Sequence, residues 1–103
     1  AHNILSGGDG CIGGLSNIVP EFFASWMQAF MNDDLLAVAQ HQQIVDQLMA
    51  VYSVNSPFIP TFKKALQLKG VIQSERCSSP FNILDDIQSR RLQEILSVTD
   101  YYK

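Results

Sequence analysis

The chain has 103 residues, enough for one small domain, and pairs an apolar share of 47% with a charged share of only 17%. Because globular proteins usually carry about a quarter charged residues, this low share indicates that part of the surface faces other protein. The net charge of −3, with no basic cluster beyond the pairs Lys63-Lys64 and Arg90-Arg91, argues against a nucleic-acid-binding protein.

Several other classes of site lack support in the sequence. The two cysteines, Cys11 and Cys77, show neither a CxxC motif nor metal-ligand spacing with histidine, which predicts free thiols, no metal and no cofactor. No apolar run approaches the roughly 20 residues that a membrane span needs, and no signal peptide is predicted. We therefore expect a cytoplasmic protein with no membrane partner.

The segment from Ser6 to Asn17 differs from the rest of the chain. It holds five of the six glycines around a short apolar run, which predicts a strand with tight turns at both ends. A single strand leaves its backbone groups unpaired, and nothing later in the chain predicts a partner strand. We therefore expect that the neighbours of this strand lie outside the chain.

Two helices are predicted next. Pro20 suits a first helical position, and the apolar stripe that follows is wide enough to cover both a core and a second surface. Asp33 is the predicted N-cap of a longer helix from about Asp34 to Ser53. The stripe of the first helix comprises Phe22, Phe23, Trp26, Met27, Phe30 and Met31, and the predicted buried face of the second comprises Leu35, Val38, Val45, Leu48, Met49 and Tyr52.

The second half of the chain predicts two further helices. One runs from Thr61 to Lys69 after Pro60, with Gly70 as the residue that ends it. The other is capped by Asp85 or Asp86. The apolar residues of these helices are Phe62, Ala65, Leu66 and Leu68 in the third and Ile87, Leu92, Ile95 and Leu96 in the fourth. Residues from Thr99 onward are expected to fray.

The polar residues that could do chemistry have structural interpretations. His41 lies in the middle of the second helix without a nucleophile or carboxylate partner at helical spacing, so we interpret it as structural. The carboxylate pairs Asp33-Asp34 and Asp85-Asp86 both stand at helix starts, where capping accounts for them. The glycine-rich segment lacks the third glycine of a dinucleotide fingerprint and the GK[ST] of a phosphate loop.

Two motifs resemble a known family. Residues Gly7 to Asn17 read G-G-D-G-C-I-G-G-L-S-N, and residues Asn55 to Gly70 read N-S-P-F-I-P-T-F-K-K-A-L-Q-L-K-G. The first is similar to the eighth barrel strand, and the second to the C-terminal helical extension, of the dihydrodipicolinate synthase / N-acetylneuraminate lyase family. The resemblance covers essentially all 103 residues.

The resemblance implies a mainly α chain of about four helices, the C-terminal fragment of a (β/α)8 TIM barrel. Residues 1–31 would be the last βα unit and residues 32–103 the helical extension. It also implies a homo-oligomer and a Schiff base between a barrel lysine and pyruvate or another 2-oxo acid, followed by aldol cleavage or condensation. The family's Schiff-base lysine and catalytic tyrosine would precede Ala1, so the chain alone is expected to be inactive, with no catalytic residue of its own.

The resemblance assigns substrate-binding positions to Ile12, Gly13 and Gly14, at the mouth of the eighth strand, where barrel enzymes place their sites. Sialic-acid lyases commonly have a serine at the Gly14 position, so its absence disfavours that activity. Lys63 and Lys64 match structural lysines of the extension, and neither is expected to be the nucleophile. The alternative function is a stand-alone helical protein-interaction module, which the apolar stripe of the first helix would also suit.

Overall fold

The computed structural model describes residues 1–99, and this part of the chain is helical without a strand. Six α-helices and one 3₁₀ helix follow one another along it, with no helix long and apolar enough to cross a membrane in the part described. In chain order they are α1 (His2–Leu5), α2 (Leu15–Ile18), α3 (Pro20–Met31), α4 (Leu35–Leu48), the 3₁₀ helix Met49–Ser53, α5 (Ile59–Leu68) and α6 (Asp86–Leu96).

The four longer helices confirm the four predicted from the sequence. Helix α3 begins at Pro20, as expected of a proline at the first position. Helix α4 and the 3₁₀ helix together cover the second predicted helix. Helix α6 begins after Asp85, whose side chain accepts a hydrogen bond from the backbone N–H of Gln88 at 2.8 Å, while the Gln88 side chain accepts from the Asp85 N–H. This reciprocal capping box fixes the start of α6.

The predicted strand between Ser6 and Asn17 is wrong for this structure. Residues 8–13 form an irregular segment, and the short helices α1 and α2 stand on either side of it. The physical reason is the lack of a neighbouring strand, which the sequence predicts to lie outside the chain. Without such a neighbour, extended backbone has no ladder partner, so no strand forms.

The junction between α3 and α4 also differs from prediction. Asp33 adopts φ of 53°, a left-handed conformation, and is the residue that ends α3. The Asp34 N–H donates to the carbonyl of Ala29 at 3.0 Å and the Asp33 N–H to that of Phe30 at 3.1 Å, which is a Schellman motif. Helix α4 is capped by Asp34, whose carboxylate accepts from the Ala37 N–H at 3.1 Å. The cap is therefore Asp34, one residue after the predicted Asp33.

A second Schellman motif ends α5. Gly70 adopts φ of 79°, its N–H donates to the Gln67 carbonyl at 2.9 Å, and the Val71 N–H donates to the Leu66 carbonyl at 3.0 Å. The left-handed conformation at Gly70 is one that glycine adopts without steric cost. The predicted end of the third helix is thus confirmed together with its mechanism.

The chain divides into two compact units, Ala1–Asp46 and Gln47–Lys103. Each has its own set of buried apolar side chains, which stabilise it by removing apolar surface from water. In the first unit they are Leu15, Ile18, Val19, Phe22, Ala29 and Val38, and in the second Leu48, Val51, Val54, Phe62, Ala65, Leu84, Leu92 and Leu96.

Four apolar residues predicted for the last three helices lie on the surface instead. Leu35, Met49, Leu68 and Ile87 are all exposed, with Ile87 at 78%. Leu35, Met49 and Ile87 stand in the first turn of a helix or 3₁₀ helix and Leu68 is the last residue of α5, so each has neighbouring turns on one side only. Their partners on the same helices, Leu48 and Leu92, are fully buried as predicted.

Candidate functional site

The glycine-rich segment folds back onto α1. The backbone N–H of Gly8 donates to the Asn3 carbonyl at 2.9 Å, and the Asn3 side-chain amide donates to the Gly10 carbonyl. A Cβ atom at Gly8 would lie 1.8 Å from Asn3 Oδ1 and 2.8 Å from the Asn3 carbonyl oxygen, so only glycine fits there. Glycine at position 8 therefore permits the close approach of the Asn3 backbone.

An apolar cleft of about 380 Å³ opens beside this segment in the first unit. Its main wall is the aromatic face of α3, and Cys11, an exposed free thiol, lies at its border. The Trp26 indole N–H donates to the Val38 carbonyl at 3.1 Å, which fixes the ring in the wall. The cleft is lined by Ala1, Asn3, Ile4, Gly10, Cys11, Ser16, Phe23, Trp26, Met27 and Phe30.

The three predicted substrate-binding residues lie next to this cleft in sequence and do not line it. The Ile12 side chain is fully exposed. The Gly13 carbonyl accepts from the Ser16 hydroxyl at 2.5 Å, and the Gly14 carbonyl accepts from the Asn17 side chain at 3.1 Å. Both glycines therefore lead into α2 with their carbonyls occupied, and their substrate-binding role stays a prediction.

The second motif forms a polar cleft of about 360 Å³ in the second unit. Asn55 organises it: its amide donates to the Pro57 carbonyl at 3.1 Å, and its side-chain oxygen accepts from the Gln88 amide at 3.2 Å. Residues Pro57, Pro60 and Phe81 also line the cleft. The Asn-Ser-Pro sequence therefore connects the start of α5 to the start of α6, which is a structural role.

Lys63 and Lys64 hold the connection between α5 and α6 against α5. Lys63 Nζ donates to the Arg76 carbonyl at 2.8 Å. Lys64 Nζ lies 3.3 Å from the Glu75 carboxylate and 3.0 Å from Gln67 Oε1. Both ammonium groups therefore have polar partners, as expected of structural lysines.

His41 has a structural environment as well. Its Nδ1 lies 2.7 Å from the Ala37 carbonyl one turn earlier, and its ring packs 4.9 Å from the ring of Phe22. Within residues 1–99, no three His, Cys, Asp or Glu side chains come together in a way that could hold a metal ion.

The charged residues divide between the two units. All seven Lys and Arg residues follow position 62, whereas the first unit has neither lysine nor arginine and has five carboxylates. These are Asp9, Glu21, Asp33, Asp34 and Asp46. Only local clusters of basic residues were sought in the sequence, and their distribution was not related to the two units because the sequence does not show the boundary between them.

Sequence reasoning also missed the role of Asn3 and the cleft itself. The aromatic stripe of α3 was a signal for the cleft, since its spacing predicted a face too wide for one core. Nothing in the sequence indicated that α1 would form and close the cleft from the other side.

Comparisons with known proteins identify the family. The model of the "Dihydrodipicolinate synthetase family" matches residues 1–99. The chain is 27% identical over 95 residues to the "Putative 2-dehydro-3-deoxy-D-gluconate aldolase YagE" of Escherichia coli (strain K12), across 92% of this chain and 32% of that protein. It is 30% identical over 79 residues to the "Probable 2-dehydro-3-deoxy-D-pentonate aldolase YjhH" of the same organism, across 77% of this chain and 26% of that protein.

No solved structure matches the chain significantly. The chain spans about a third or less of the length of the two curated relatives. The expected resemblance is confirmed, because the family model covers nearly every residue: the chain belongs to the dihydrodipicolinate synthetase family.

Proposed function

We propose that the chain is the C-terminal part of a Schiff-base-forming aldolase or lyase that acts on pyruvate or another 2-oxo acid, and that it is inactive alone. The observation that carries this proposal is the family match over residues 1–99. The names of the two relatives favour a 2-dehydro-3-deoxy sugar acid as the substrate. Cleavage of the C3–C4 bond in such an acid releases pyruvate and an aldehyde.

The environment of the lysines supports inactivity of the chain alone. A Schiff-base lysine needs a water-poor site in which its amine can attack the substrate carbonyl. Lys63 and Lys64 instead donate to a backbone carbonyl and a carboxylate on a partly exposed helix face. The apolar cleft of the first unit contains no lysine. In this proposal the reacting amine and the proton-relaying tyrosine come from the preceding barrel strands, with Ile12, Gly13 and Gly14 beside the bound acid.

The decisive experiment is reductive trapping. The chain is incubated with pyruvate and borohydride, which reduces any Schiff base to a stable secondary amine, and its intact mass is measured. We expect no adduct beyond that found with lactate, which has no keto group. An adduct specific to pyruvate on any lysine of this chain would refute the proposed inactivity.

A chimera tests the aldolase part of the proposal. In it the chain replaces the matching segment of YagE, so the lysine is supplied by YagE and the C-terminal part by this chain. We expect pyruvate trapping on the YagE portion and aldol cleavage of 2-dehydro-3-deoxy-D-gluconate. A folded chimera that traps no pyruvate would contradict the proposal.

The intact protein is proposed to be a cytoplasmic homo-oligomer, in keeping with the resemblance. The alternative, a stand-alone interaction module, is favoured by one observation, the full exposure of Ile12 together with other large apolar side chains of the first unit. The upstream reading frame discriminates the two functions. Consecutive βα units that include a lysine-bearing strand favour the aldolase, and their absence favours the module.

A further inference from the structure

Asn3 holds both ends of a short loop in the glycine-rich segment. The Gly8 N–H donates to the Asn3 carbonyl at 2.9 Å, and the Asn3 side-chain amide donates to the Gly10 carbonyl. Asp9 lies between these two contacts. We name Gly8, Asp9 and Gly10 the Asn3 loop.

The Asp9–Gly10 peptide unit in the middle of the Asn3 loop is not held by hydrogen bonds. Both residues are exposed, and the Gly10 N–H donates no hydrogen bond to any of residues 1–99. The Asp9 carboxylate forms neither a hydrogen bond nor an ion pair with that part of the chain. A Cβ atom at Gly10 would have no atom within 4 Å apart from its chain neighbours. The Gly10 nitrogen is therefore free to approach the Asp9 side chain.

The residue after Asp9 favours such an approach. Asp9 is the one aspartate of the sequence that precedes a glycine, which has no Cβ to obstruct its own nitrogen. At the α3–α4 junction, by contrast, the N–H after Asp33 donates to the Ala29 carbonyl at 3.0 Å, and the N–H after Asp34, that of Leu35, donates to the Asp33 carbonyl at 3.1 Å. These hydrogen bonds keep the backbone nitrogen away from the preceding carboxylate.

We propose that Asp9 of this chain is a site of spontaneous isomerisation to isoaspartate. The Gly10 nitrogen attacks Cγ of the Asp9 carboxyl group, an N–Cγ bond forms, and the carboxyl OH leaves with the amide hydrogen as water. The product is a cyclic succinimide. Water then opens the ring at one of its two carbonyl carbons. Opening at Cγ restores aspartate, and opening at the main-chain carbonyl gives isoaspartate, in which the main chain runs through Cγ and the mass is unchanged.

The modification would alter the Asn3 loop itself. Isoaspartate lengthens the main chain by one carbon atom between two points that Asn3 holds, so we expect the Gly10 carbonyl to lose its contact with the Asn3 amide. Gly10 also lines the apolar cleft beside α3. This inference is independent of the aldolase proposal and of any partner, since the two reacting groups belong to adjacent residues of this chain.

The test follows the full chain during incubation at physiological temperature and pH. A protein-isoaspartate methyltransferase with labelled S-adenosylmethionine measures the isoaspartate formed, and peptide mapping locates it. We expect Asp9 to account for most of it. A synthetic peptide of residues 6–13 is the unfolded reference, and the rate in the chain should lie within about fivefold of the peptide rate, because the folded loop does not restrain the reacting groups.

Variants separate this reaction from others. Gly10→Ala should slow it by about threefold or more, because the new Cβ obstructs the nitrogen and contacts no other part of residues 1–99. Asp9→Glu should abolish it, because attack on the longer side chain must close a larger ring. Asp46→Glu is the matched control and should leave the yield at Asp9 unchanged.

Circular dichroism checks that each variant keeps its helical content. The proposal is overturned if the chain reacts more than about fivefold slower than the peptide, which would show that the fold protects Asp9. It is also overturned if another aspartate yields more isoaspartate than Asp9, or if Gly10→Ala reacts as fast as the original chain.

Discussion

At the residue scale, the absence of a side chain at Gly8 allows the glycine-rich segment to fold back onto α1. The Asn3 side chain and carbonyl occupy the space that any larger residue would need. The Gly8 N–H also donates a hydrogen bond to the Asn3 carbonyl. The contact between the glycine-rich segment and α1 therefore requires a residue without a side chain at position 8. The apolar cleft beside α3 depends on it in turn, since Asn3 and Gly10 both belong to its lining.

We expect Gly8→Ala to disrupt the contact between the glycine-rich segment and α1. The added methyl group must displace Asn3, so the amide protons of residues 3–10 should exchange with solvent faster than in the original chain. Hydrogen exchange followed by mass spectrometry measures the change. Gly10→Ala is the matched control, because no atom lies within 4 Å of a Cβ there. Equal exchange in both variants would show that the contact with Asn3 is dispensable.

Thr61 has a polar hydroxyl group at a buried position that an apolar group of the same size could fill. It lies in the first turn of α5, is fully buried, and its hydroxyl has no hydrogen-bond partner. A buried hydroxyl without a partner costs free energy, since it has lost its hydrogen bonds to water.

Thr61→Val should therefore raise the free energy of unfolding by about 1 kcal/mol, because it replaces the hydroxyl with a methyl group of similar shape. Thr61→Ser keeps the hydroxyl and removes the methyl group, so it should lower that free energy by about 1 kcal/mol. Urea denaturation followed by far-ultraviolet circular dichroism compares the three chains. A destabilised valine variant would mean that the hydroxyl has a partner in solution, such as a buried water.

At the element scale, the ends of the helices were the most predictable features. Pro20, Asp85 and Gly70 act through local chemistry: a fixed φ, a carboxylate that accepts backbone N–H groups, and tolerance of a left-handed conformation. Such effects involve residues within four positions of each other, so a sequence contains them in full.

The junction of α3 and α4 shows that local sequence does not always determine where a helix ends. Asp33 was predicted to start α4, yet it ends α3, and Asp34 provides the cap. Two adjacent aspartates are equally good caps by type, and only the packing of both helices decides between them. The strand predicted for the glycine-rich segment was wrong for a related reason. A strand requires a partner strand, and the local sequence does not contain one.

Asp33→Gly should stabilise this junction by about 0.5 to 1 kcal/mol, since glycine adopts positive φ without the clash that an aspartate Cβ suffers. Asp34→Ala should destabilise it by about 1 kcal/mol through loss of the N-cap. Thermal unfolding of the two variants checks the signs. If Asp33→Ala behaves like Asp33→Gly, the conformation of residue 33 would not be the cause.

At the scale of the whole molecule, family membership was predictable and the position of the site was not. The two glycine- and proline-containing motifs carried the family assignment, which the family match over residues 1–99 confirms. In contrast, Ile12, Gly13 and Gly14 were assigned by resemblance alone. In the proposed aldolase their environment would depend on strands outside this chain, so no local pattern could define it.

The separation of the buried side chains into two clusters has a spectroscopic consequence. The single tryptophan, Trp26, belongs to the first unit, which contains no tyrosine, and Tyr52 belongs to the second. Each half of the chain therefore has its own intrinsic chromophore. One denaturant titration, recorded as indole emission and as tyrosine absorbance, would follow the two halves side by side without any added label.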